Sequence, residues 1–352
     1  MSRQENTNEC IYRKLDNGKV QCLACNRYCV IPPGQTGVCA VRENVDGVLR
    51  LIVYGKVIGP GPSPVEKKPM FHFLPGTQTY SLATIGCNFT CKFCQNWDIS
   101  QCAAQVRDAG GNYVGKIEKY GYAMTAEDVV KEAIKEKCPA IAYTYNEPTV
   151  FLEYALDVAR IAKAKGLKNI FVTNGYESKE AIEAMKGLID GMNIDLKGFT
   201  DKFYSDLAGT HLEPVKKTIR LARESGIWVE VTTLIIPGQN DSEKELKELA
   251  EFLVNVDPNM PWHISAFHPD YLMDNIPPTP VSTLRMAYDI GKTAGLHHIY
   301  VGNVSDPSRE ATYCKKCGEM LVKRSRFRSV ILDSFVDGVC TKCGTPCDGV
   351  WK

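Results

Sequence analysis

Short apolar runs alternate with amphipathic runs along the chain from about residue 79. The apolar runs predict seven strands, at residues 79–85, 140–145, 169–173, 192–196, 228–236, 262–267 and 298–301. The amphipathic runs predict helices between them, one opening at Thr125 and others at residues 150–165, 213–225, 241–254 and 280–294. Because strands that alternate with helices at this spacing pair in parallel, the pattern predicts an α/β fold. A complete or partial TIM-type β/α barrel fits, with its chemistry at the carboxyl ends of the strands.

Two glycines and three prolines fall within residues 59–64, ahead of the first predicted strand. Proline lacks a backbone donor and glycine weakens a strand, so we interpret this stretch as a linker. With a boundary near residue 70, the chain divides into three predicted parts. These are a cysteine-rich segment with its linker at 1–70, the barrel at 71–308, and a small module at 309–352.

The composition is that of an ordinary globular protein, with 44% hydrophobic and 24% charged residues among 352. A net charge of +1 argues against a strong field that would gather nucleic acid or an anionic membrane. The polar N-terminus lacks the apolar core of a signal peptide, and no apolar stretch is long enough to span a bilayer. The 15 cysteines, many in Cys-x-x-Cys pairs, therefore indicate metal binding in a reducing cytoplasm rather than a disulfide framework.

Three cysteines follow the first predicted strand with the spacing Cys87-x3-Cys91-x2-Cys94. Three thiolates on one short loop can each bind a different iron of a cubane cluster, and without a fourth local cysteine one iron stays open to a ligand. A low-potential cluster of this kind can donate an electron to a sulfonium at the open iron, which breaks a carbon–sulfur bond. A zinc site and cysteines packed in the core are the alternatives, although zinc prefers four ligands from paired knuckles. Cys102 could also act as a fourth ligand, which would make the protein an iron–sulfur electron carrier.

This triad resembles the signature of the radical S-adenosylmethionine (SAM) superfamily residue for residue. The resemblance implies a [4Fe–4S] cluster on Cys87, Cys91 and Cys94. It also implies reductive cleavage of SAM to methionine and a 5′-deoxyadenosyl radical. Phe93 matches an aromatic residue that packs near the adenine in that superfamily.

The ends of the other predicted strands are similar to segments of the pyruvate formate-lyase activating enzymes. Asn146-Glu147 stands where those enzymes have a Gly-Gly-Glu segment that holds the amino group of SAM. Thr173-Asn174-Gly175 and Asp195-Leu196-Lys197 match segments near the sugar and the methionine carboxylate, and His268 matches a histidine near the ribose. Without the resemblance, these residues would be interpreted as a proline turn, a surface ion pair and a structural histidine.

Nearly the whole chain is similar to the radical enzyme of the AmmeMemoRadiSam system. The match includes the run from Cys22 to Cys29, residues 37–42, Gln95-Asn96-Trp97, residues 145–148, and the C-terminal Cys-Gly pairs. This resemblance implies an electron donor such as ferredoxin or flavodoxin and hydrogen abstraction from an unidentified substrate. A protein glycine, another protein and a modified nucleoside all remain open as substrates.

Two Cys-x-x-Cys pairs near the end of the chain, Cys314 with Cys317 and Cys340 with Cys343, are each followed by glycine. They predict a zinc ribbon with a closed structural site, for which a rubredoxin-like iron site is the competitor. Cys347 is left unassigned. The module is also rich in basic residues, namely Lys315, Lys316, Lys323, Arg324, Arg326 and Arg328. An RNA-binding or protein-binding module is therefore the alternative function, although a solvated or protein-docking face is the preferred interpretation.

A third cysteine group lies near the start of the chain, at Cys22, Cys25, Cys29 and Cys39. Four thiolates within so few residues indicate a metal. Structural zinc and an auxiliary iron–sulfur cluster both fit, and zinc is preferred from the sequence.

Overall fold

The computed structural model describes residues 10–352. Its strands are β1 (Tyr12–Lys14), β2 (Val20–Cys22), β3 (Val30–Ile31), β4 (Arg42–Val45), β5 (Val48–Leu51), β6 (Lys56–Pro64), β7 (Gln78–Ala83), β8 (Tyr122–Ala123), β9 (Ala140–Tyr143), β10 (Lys168–Thr173), β11 (Gly191–Asp195), β12 (Trp228–Ile235), β13 (Trp262–Ala266), β14 (Ile299–Gly302), β15 (Thr312–Tyr313), β16 (Met320–Ser325), β17 (Arg328–Ile331), β18 (Phe335–Val336) and β19 (Val339–Cys340).

The α-helices are α1 (Trp97–Ser100), α2 (Cys102–Asp108), α3 (Tyr113–Ile117), α4 (Ala126–Lys135), α5 (Leu152–Ala164), α6 (Lys179–Met185), α7 (Asp201–Phe203), α8 (Leu212–Glu224), α9 (Glu243–Val256), α10 (Val281–Ala294) and α11 (Pro307–Glu310). Short 3-10 turns lie at Asp16–Gly18, Val65–Lys67 and Pro148–Phe151, and a π-helical turn lies at Tyr204–Ala208. Within residues 10–352, the longest apolar helices fall short of what a membrane crossing requires.

Nine strands form the central sheet, in the order β14-β13-β12-β11-β10-β9-β7-β6-β8. The seven strands from β14 to β7 pair in parallel. Each of them matches one of the seven predicted strands, so the predicted α/β fold is confirmed. Within the described residues β14 pairs with β13 alone, and the sheet is therefore open, as a partial barrel is.

The two faces of the sheet bury different residues. Helices cover one face, where α5 packs on β9 and β10, α8 on β12, and α10 on β13 and β14. Successive side chains of a strand point to opposite faces. Ile141 and Tyr143 accordingly join the core beneath the helices, whereas Ala140 and Ala142 join a smaller cluster with Phe73. Both faces of the parallel strands are therefore covered, which accounts for their nearly continuous apolar sequences.

Local signals set the ends of the helices. Thr125 caps α4 in a capping box with Asp128, as its sequence predicts. Gly295 ends α10 in the left-handed region, at φ 108°. α9 starts one residue later than the Asp241 cap implied, because the Ser242 hydroxyl accepts the backbone N–H of Glu245 and acts as the N-cap.

The segment between β6 and β7 forms a floor near the amino ends of the parallel strands. A Cβ at Gly191, the first residue of β11, would lie 2.8 Å from both Met70 and Phe73. The buried Glu230 carboxylate on β12 accepts the backbone N–H groups of Phe71 and His72 at 2.9 and 2.8 Å. These contacts close the amino ends of the sheet and leave the carboxyl ends open.

The predicted linker at residues 59–64 is wrong, because these residues belong to β6 of the central sheet. β6 pairs antiparallel with β7, with Pro62 opposite Tyr80 and Pro64 opposite Gln78. It pairs with β8 only at Lys56 and Val57, so beyond those residues its other side is an edge. An edge strand tolerates prolines at alternate positions, because the N–H groups that they lack would point away from the sheet and would not pair with another strand. The main unit therefore begins before residue 59 rather than near residue 70.

The C-terminal residues dock on the closed end of the sheet. Val350 makes two backbone hydrogen bonds with the β6–β7 segment: its N–H donates to the His72 carbonyl, and its carbonyl accepts the Leu74 N–H, both at 2.7 Å. Arg324 is buried, lies over the Phe71 ring and donates to the Phe71 carbonyl at 2.6 Å. Arg324 is therefore a docking residue and not part of a solvated basic face, which weakens the case for an RNA-binding patch.

Candidate functional site

A cavity of about 390 Å³ opens at the carboxyl ends of the parallel strands. This volume is typical of small-molecule sites. The central-site residues predicted from the sequence that line it are Cys87, Cys91, Phe93, Cys94, Asn146, Glu147, Thr173, Asn174, Asp195 and Lys197. Residues far apart in the chain therefore meet at this one rim of the sheet.

The three central cysteines lie on the irregular loop that links β7 to α1. Backbone bonds hold this loop, since Gly86 N–H donates to the Ile99 carbonyl at 2.9 Å and Thr90 N–H donates to the Ala208 carbonyl at 3.0 Å. Gly86 has φ 92°, and a Cβ there would lie 2.8 Å from the Val41 side chain. Glycine is required here because the loop passes tightly against the N-terminal part of the chain.

Burial raises the pKa of all three thiols. The pKa of Cys91 rises to about 12, although the Lys197 ammonium acts to lower it. Burial also raises the pKa of Cys87, with the Glu147 charge adding to the effect, and that of Cys94. Thiols of this kind keep their protons at neutral pH and lose them when a metal binds. The triad therefore suits metal coordination rather than free thiolate chemistry.

Lys197 places a cation in the cavity wall. Its Nζ lies 2.7 Å from Asp195 Oδ2 and 5.8 Å from the centre of the Phe93 ring. Burial alone would lower the pKa of Lys197, but the Asp195 carboxylate and the Cys91 thiol raise it overall. The Tyr204 hydroxyl accepts the Lys197 backbone N–H at 3.0 Å and fixes the turn after β11. A charged, positioned ammonium thus faces any ligand near Asp195.

Glu147 is the buried acid of the cavity wall. Its carboxylate accepts the backbone N–H of Thr149 at 2.9 Å and that of Asn174 at 2.8 Å. The hydroxyls of Thr149 and Thr173 also donate to it, at 2.6 and 2.9 Å. Burial raises the pKa of Glu147, whereas these four donors hold the carboxylate in place and act to lower the pKa.

A second buried acid, Glu177, lies behind Glu147 and was not found from the sequence. Its Oε1 lies 2.6 Å from the Thr173 hydroxyl and 3.0 Å from the Thr149 hydroxyl, the same two hydroxyls that contact Glu147. Each hydroxyl has one proton, which it gives to Glu147, and a protonated Glu177 can then donate its single proton to one of the two hydroxyl oxygens. Burial and then the Glu147 charge raise the pKa of Glu177 to about 8. The pair therefore holds one shared proton and one negative charge near neutral pH.

Two asparagines at the rim differ in how far their hydrogen bonds are satisfied. Asn146 Nδ2 donates to the Gly86 carbonyl at 2.8 Å and thereby ties the end of β9 to the cysteine loop. Asn174 Nδ2 donates to Asn88 Oδ1 at 2.7 Å, whereas Asn174 Oδ1 is buried without a partner in residues 10–352. Asn174 therefore offers a free acceptor to a ligand donor, such as a sugar hydroxyl.

A model of the Radical SAM superfamily matches residues 82–253, which include the cysteine loop and the strands that line the cavity. The chain belongs to the radical SAM superfamily.

Named relatives extend this comparison. The uncharacterized protein MJ0808 of Methanocaldococcus jannaschii is 44% identical over 340 residues, which cover 96% of this chain and 97% of that protein. A putative glycyl-radical enzyme activating enzyme of the same organism, MJ1632, is 25% identical over 191 residues, covering 53% of this chain and 66% of that protein. The crystal structure of a radical SAM methyltransferase from Sphaerobacter thermophilus is 17% identical with a TM-score of 0.50, covering 70% of this chain and 71% of that chain. The last comparison concerns the fold alone.

Two residues discussed from the sequence lie away from the radical SAM cavity. His268 is exposed, lies two residues after the end of β13 at Ala266, and is not among the lining residues. Ser265 lines the cavity from the same strand instead. Cys102 also lies outside the lining, and its Sγ lies 3.6 Å from the Ile99 carbonyl, its hydrogen-bond acceptor.

Several other lining residues of the radical SAM cavity were missed. Ser265 is the last residue but one of β13 and Asn303 directly follows β14, where polar residues near the end of an apolar run could have indicated them, whereas Thr232 lies inside β12. The sequence carries no signal for Lys68 as a cavity residue, because it follows β6 and the residues of β6 were predicted to be a linker. Lys68 Nζ lies 4.5 Å from the centre of the Tyr145 ring, and burial, with the nearby Lys67 charge, lowers the pKa of Lys68 to about 8. It gives the cavity a second amine for an anionic ligand group.

The four C-terminal cysteines converge on one point. Their sulfur atoms all lie within 4.8 Å of one another, with Cys314 and Cys343 at 3.5 Å and Cys317 and Cys340 at 3.7 Å. Four thiolates around one zinc ion at its usual bond length would be about 3.8 Å apart. The glycines after the second cysteine of each pair, Gly318 and Gly344, have positive φ as the predicted knuckle turns require. This module is therefore shaped for a single metal ion.

The shared proton of the two buried glutamates predicts a pH dependence of stability. In the unfolded chain glutamates ionise near pH 4.5, whereas Glu177 in the folded protein holds its proton up to about pH 8. At this site the folded protein therefore binds one more proton than the unfolded chain, and the contribution of Glu177 to stability falls as pH rises from 5 to 8. We expect Glu177→Gln to flatten this decline, as measured by thermal unfolding midpoints across the window.

The control for this experiment is Glu180→Gln, which changes a carboxylate on the first turn of α6 that accepts a hydrogen bond from Tyr28 outside the cavity. It should keep the wild-type slope. Parallel curves for wild type and Glu177→Gln would show that the buried pair holds no extra proton.

Proposed function

We propose that Cys87, Cys91 and Cys94 hold a [4Fe–4S] cluster and that SAM binds beside it in the cavity. The observation that carries the proposal is the placement of three thiols on one loop, Cys91 buried and Cys87 and Cys94 half-buried, that face a cavity with a buried acid and a cation. When bound there, the cluster supplies the electron that cleaves SAM to methionine and a 5′-deoxyadenosyl radical. The described lining contains three cysteines and no fourth, which supports an open coordination position.

The wall of the cavity offers partners for each polar part of SAM. We propose that the Glu147 carboxylate binds the amino group, because it is a fixed buried anion. Lys197 would neutralise the methionine carboxylate, and Asp195 together with the free acceptor Asn174 Oδ1 would accept from the ribose hydroxyls. Phe93, which is buried and lies against Lys197, would pack near the adenine. In this arrangement the chain orients SAM and excludes water from its reacting bond.

The radical is proposed to abstract a hydrogen atom from a substrate that enters the same cavity. A protein glycine is our first candidate, because relatives at low identity are named glycyl-radical enzyme activating enzyme and pyruvate formate-lyase-activating enzyme. The electron would come from a small carrier such as ferredoxin or flavodoxin. We also propose a cytoplasmic location, where 15 cysteines would remain reduced.

The first test of this proposal is SAM cleavage by the anaerobically reconstituted and chemically reduced protein. We expect the wild type to form 5′-deoxyadenosine, measured by liquid chromatography, and Cys94→Ala to lower its rate by at least about a hundredfold because the cluster loses a ligand. Cys102→Ala is the matched control, since this cysteine lies outside the cavity lining, and it should leave the rate unchanged. Absence of 5′-deoxyadenosine from a wild type with a fully reduced cluster would refute the proposal.

The role assigned to Glu147 predicts a change in SAM affinity. Removing the charge with Glu147→Gln should raise the Kd for SAM about ten- to a hundredfold, because a hydrogen bond to a charged group contributes about 1.5–3 kcal/mol. The change can be measured by equilibrium dialysis against the cluster-loaded protein, with Glu180→Gln as the control. An unchanged Kd in a variant with full cluster content would remove Glu147 from the binding site.

We also propose that Cys314, Cys317, Cys340 and Cys343 hold a structural zinc ion. The convergence of their four sulfur atoms supports this assignment, and the small module has few apolar residues of its own to hold it together. The metal would therefore contribute directly to folding.

The zinc proposal predicts that a strong chelator, or Cys340→Ser, unfolds the module and exposes Trp351, which packs on Phe335 with ring centres 4.8 Å apart. The expected result is loss of about one zinc per chain by elemental analysis together with a shift in tryptophan fluorescence. Cys138→Ser, a buried cysteine outside all three groups, should keep both properties. Iron in place of zinc in protein purified from metal-replete cells would overturn the assignment.

A further inference from the structure

The four N-terminal cysteines meet around a cavity of their own. Cys22, Cys25, Cys29 and Cys39 all line it, although Cys39 comes from a separate turn ten residues after Cys29. We call it the N-terminal thiol cavity. Residues of the N-terminal part line it together with Asn88 of the central cysteine loop and with Thr149 and Val150, which follow β9.

Apart from its sulfur atoms, the wall of the N-terminal thiol cavity is largely apolar. Ile31 and Val150, both buried, are among its lining residues. An apolar shell of this kind excludes water and is a common surrounding of iron–sulfur clusters, whose reduction potential it tunes. The cavity thus places four thiols in a protected setting.

The spacing of the sulfur atoms differs between the four N-terminal cysteines and the four C-terminal cysteines. One zinc ion draws four thiolates to about 3.8 Å from one another, and the C-terminal group meets that condition. Within residues 10–352 the N-terminal thiols do not form such a group, and they lie around the cavity wall instead. A cubane cluster needs thiolates held apart in this way, because each of them binds a different iron.

We propose that Cys22, Cys25, Cys29 and Cys39 bind a second [4Fe–4S] cluster, with one thiolate on each iron. Arginines beside the cavity fit this assignment, because a cubane with four thiolate ligands carries a net negative charge and Arg27 and Arg42 are both among the lining residues. Arg42 is buried and its guanidinium pairs with Glu153 at 2.7 Å, which holds it in place and balances its charge. Arg27 donates to backbone carbonyls instead, so its positive charge is the one left to act on the cluster.

The second cluster would organise the wall of the SAM site. Arg27 Nη2 donates to the carbonyl of Asn88 at 2.8 Å and to that of Gly209 at 2.5 Å. Asn88 follows Cys87 directly and also lines the N-terminal thiol cavity. Arg42 donates to the carbonyls of Thr149 and Val150, next to the Glu147 turn. The second cluster would therefore stabilise both the cysteine loop and the acidic turn without binding SAM itself.

The test uses the full chain with Cys87, Cys91 and Cys94 all changed to alanine, so that the N-terminal cysteines stay intact. After anaerobic reconstitution with ferrous iron and sulfide, we expect wild type to hold about eight iron atoms and this variant about four, with equal labile sulfide. Adding Cys25→Ala and Cys29→Ala should remove the remaining iron and sulfide. Cys138→Ala in the wild-type background is the control and should keep the full content.

Electron paramagnetic resonance gives a second readout, which does not require that the Cys25→Ala and Cys29→Ala variants fold. The reduced cluster of the triple variant should give an electron paramagnetic resonance signal that SAM does not change, because each of its irons already has a thiolate. A triple variant with no iron and sulfide, or with a second zinc ion in their place, would overturn the proposal. Equal iron in wild type and triple variant, at about four atoms per chain, would instead reject the cluster proposed on the central triad and leave this one standing.

Discussion

The parallel register of seven strands is the constraint on which the site depends. β7 and the six strands from β9 to β14 pair with their neighbours in the same direction, so all of their carboxyl ends meet at one rim. The cysteine loop, the Glu147 turn and the Asp195–Lys197 turn follow three of these strands. A shift of one residue in any pairing would turn these groups toward the opposite face of the sheet. The β6–β7 segment covers the amino ends of the strands, so the rim at their carboxyl ends is the accessible end of the sheet.

Buried charge is balanced locally within that rim. Lys197 is paired with Asp195, and Glu147 is held by four donors while the neighbouring Glu177 keeps a proton. Each of these arrangements reduces the cost of placing a charge in a water-poor wall. The same arrangements fix the direction of the groups, because a buried charge that left its partners would be strongly unfavourable. The polar groups are thus preorganised for a ligand that carries both an amine and a carboxylate.

Arginines, of which Arg42 and Arg324 are buried, join the two flanking parts to the central sheet. Arg27 and Arg42 reach from the N-terminal part to backbone carbonyls beside the cysteine loop and the Glu147 turn. Arg324 reaches from the C-terminal part to the Phe71 carbonyl at the closed end. A guanidinium suits this use because it presents several donors in a fixed plane and keeps its charge when buried. The N-terminal part is therefore attached beside the rim that carries the site, and the C-terminal part is attached at the closed end of the sheet.

The sequence alone determined the parallel α/β fold, the cysteine triad and most of the polar rim. Apolar runs of strand length, and the polar residues directly after them, are patterns of neighbouring residues and can therefore be recognised in one sequence. Only the tertiary structure decided the rest. β6 became a strand because an edge position tolerates Pro62 and Pro64, and Glu177 joined Glu147 because two threonine hydroxyls lie between them. Arg324 was buried by docking, and the N-terminal thiols were held apart around a cavity. Such outcomes depend on which distant segments pack together, and no local pattern of residues carries that information.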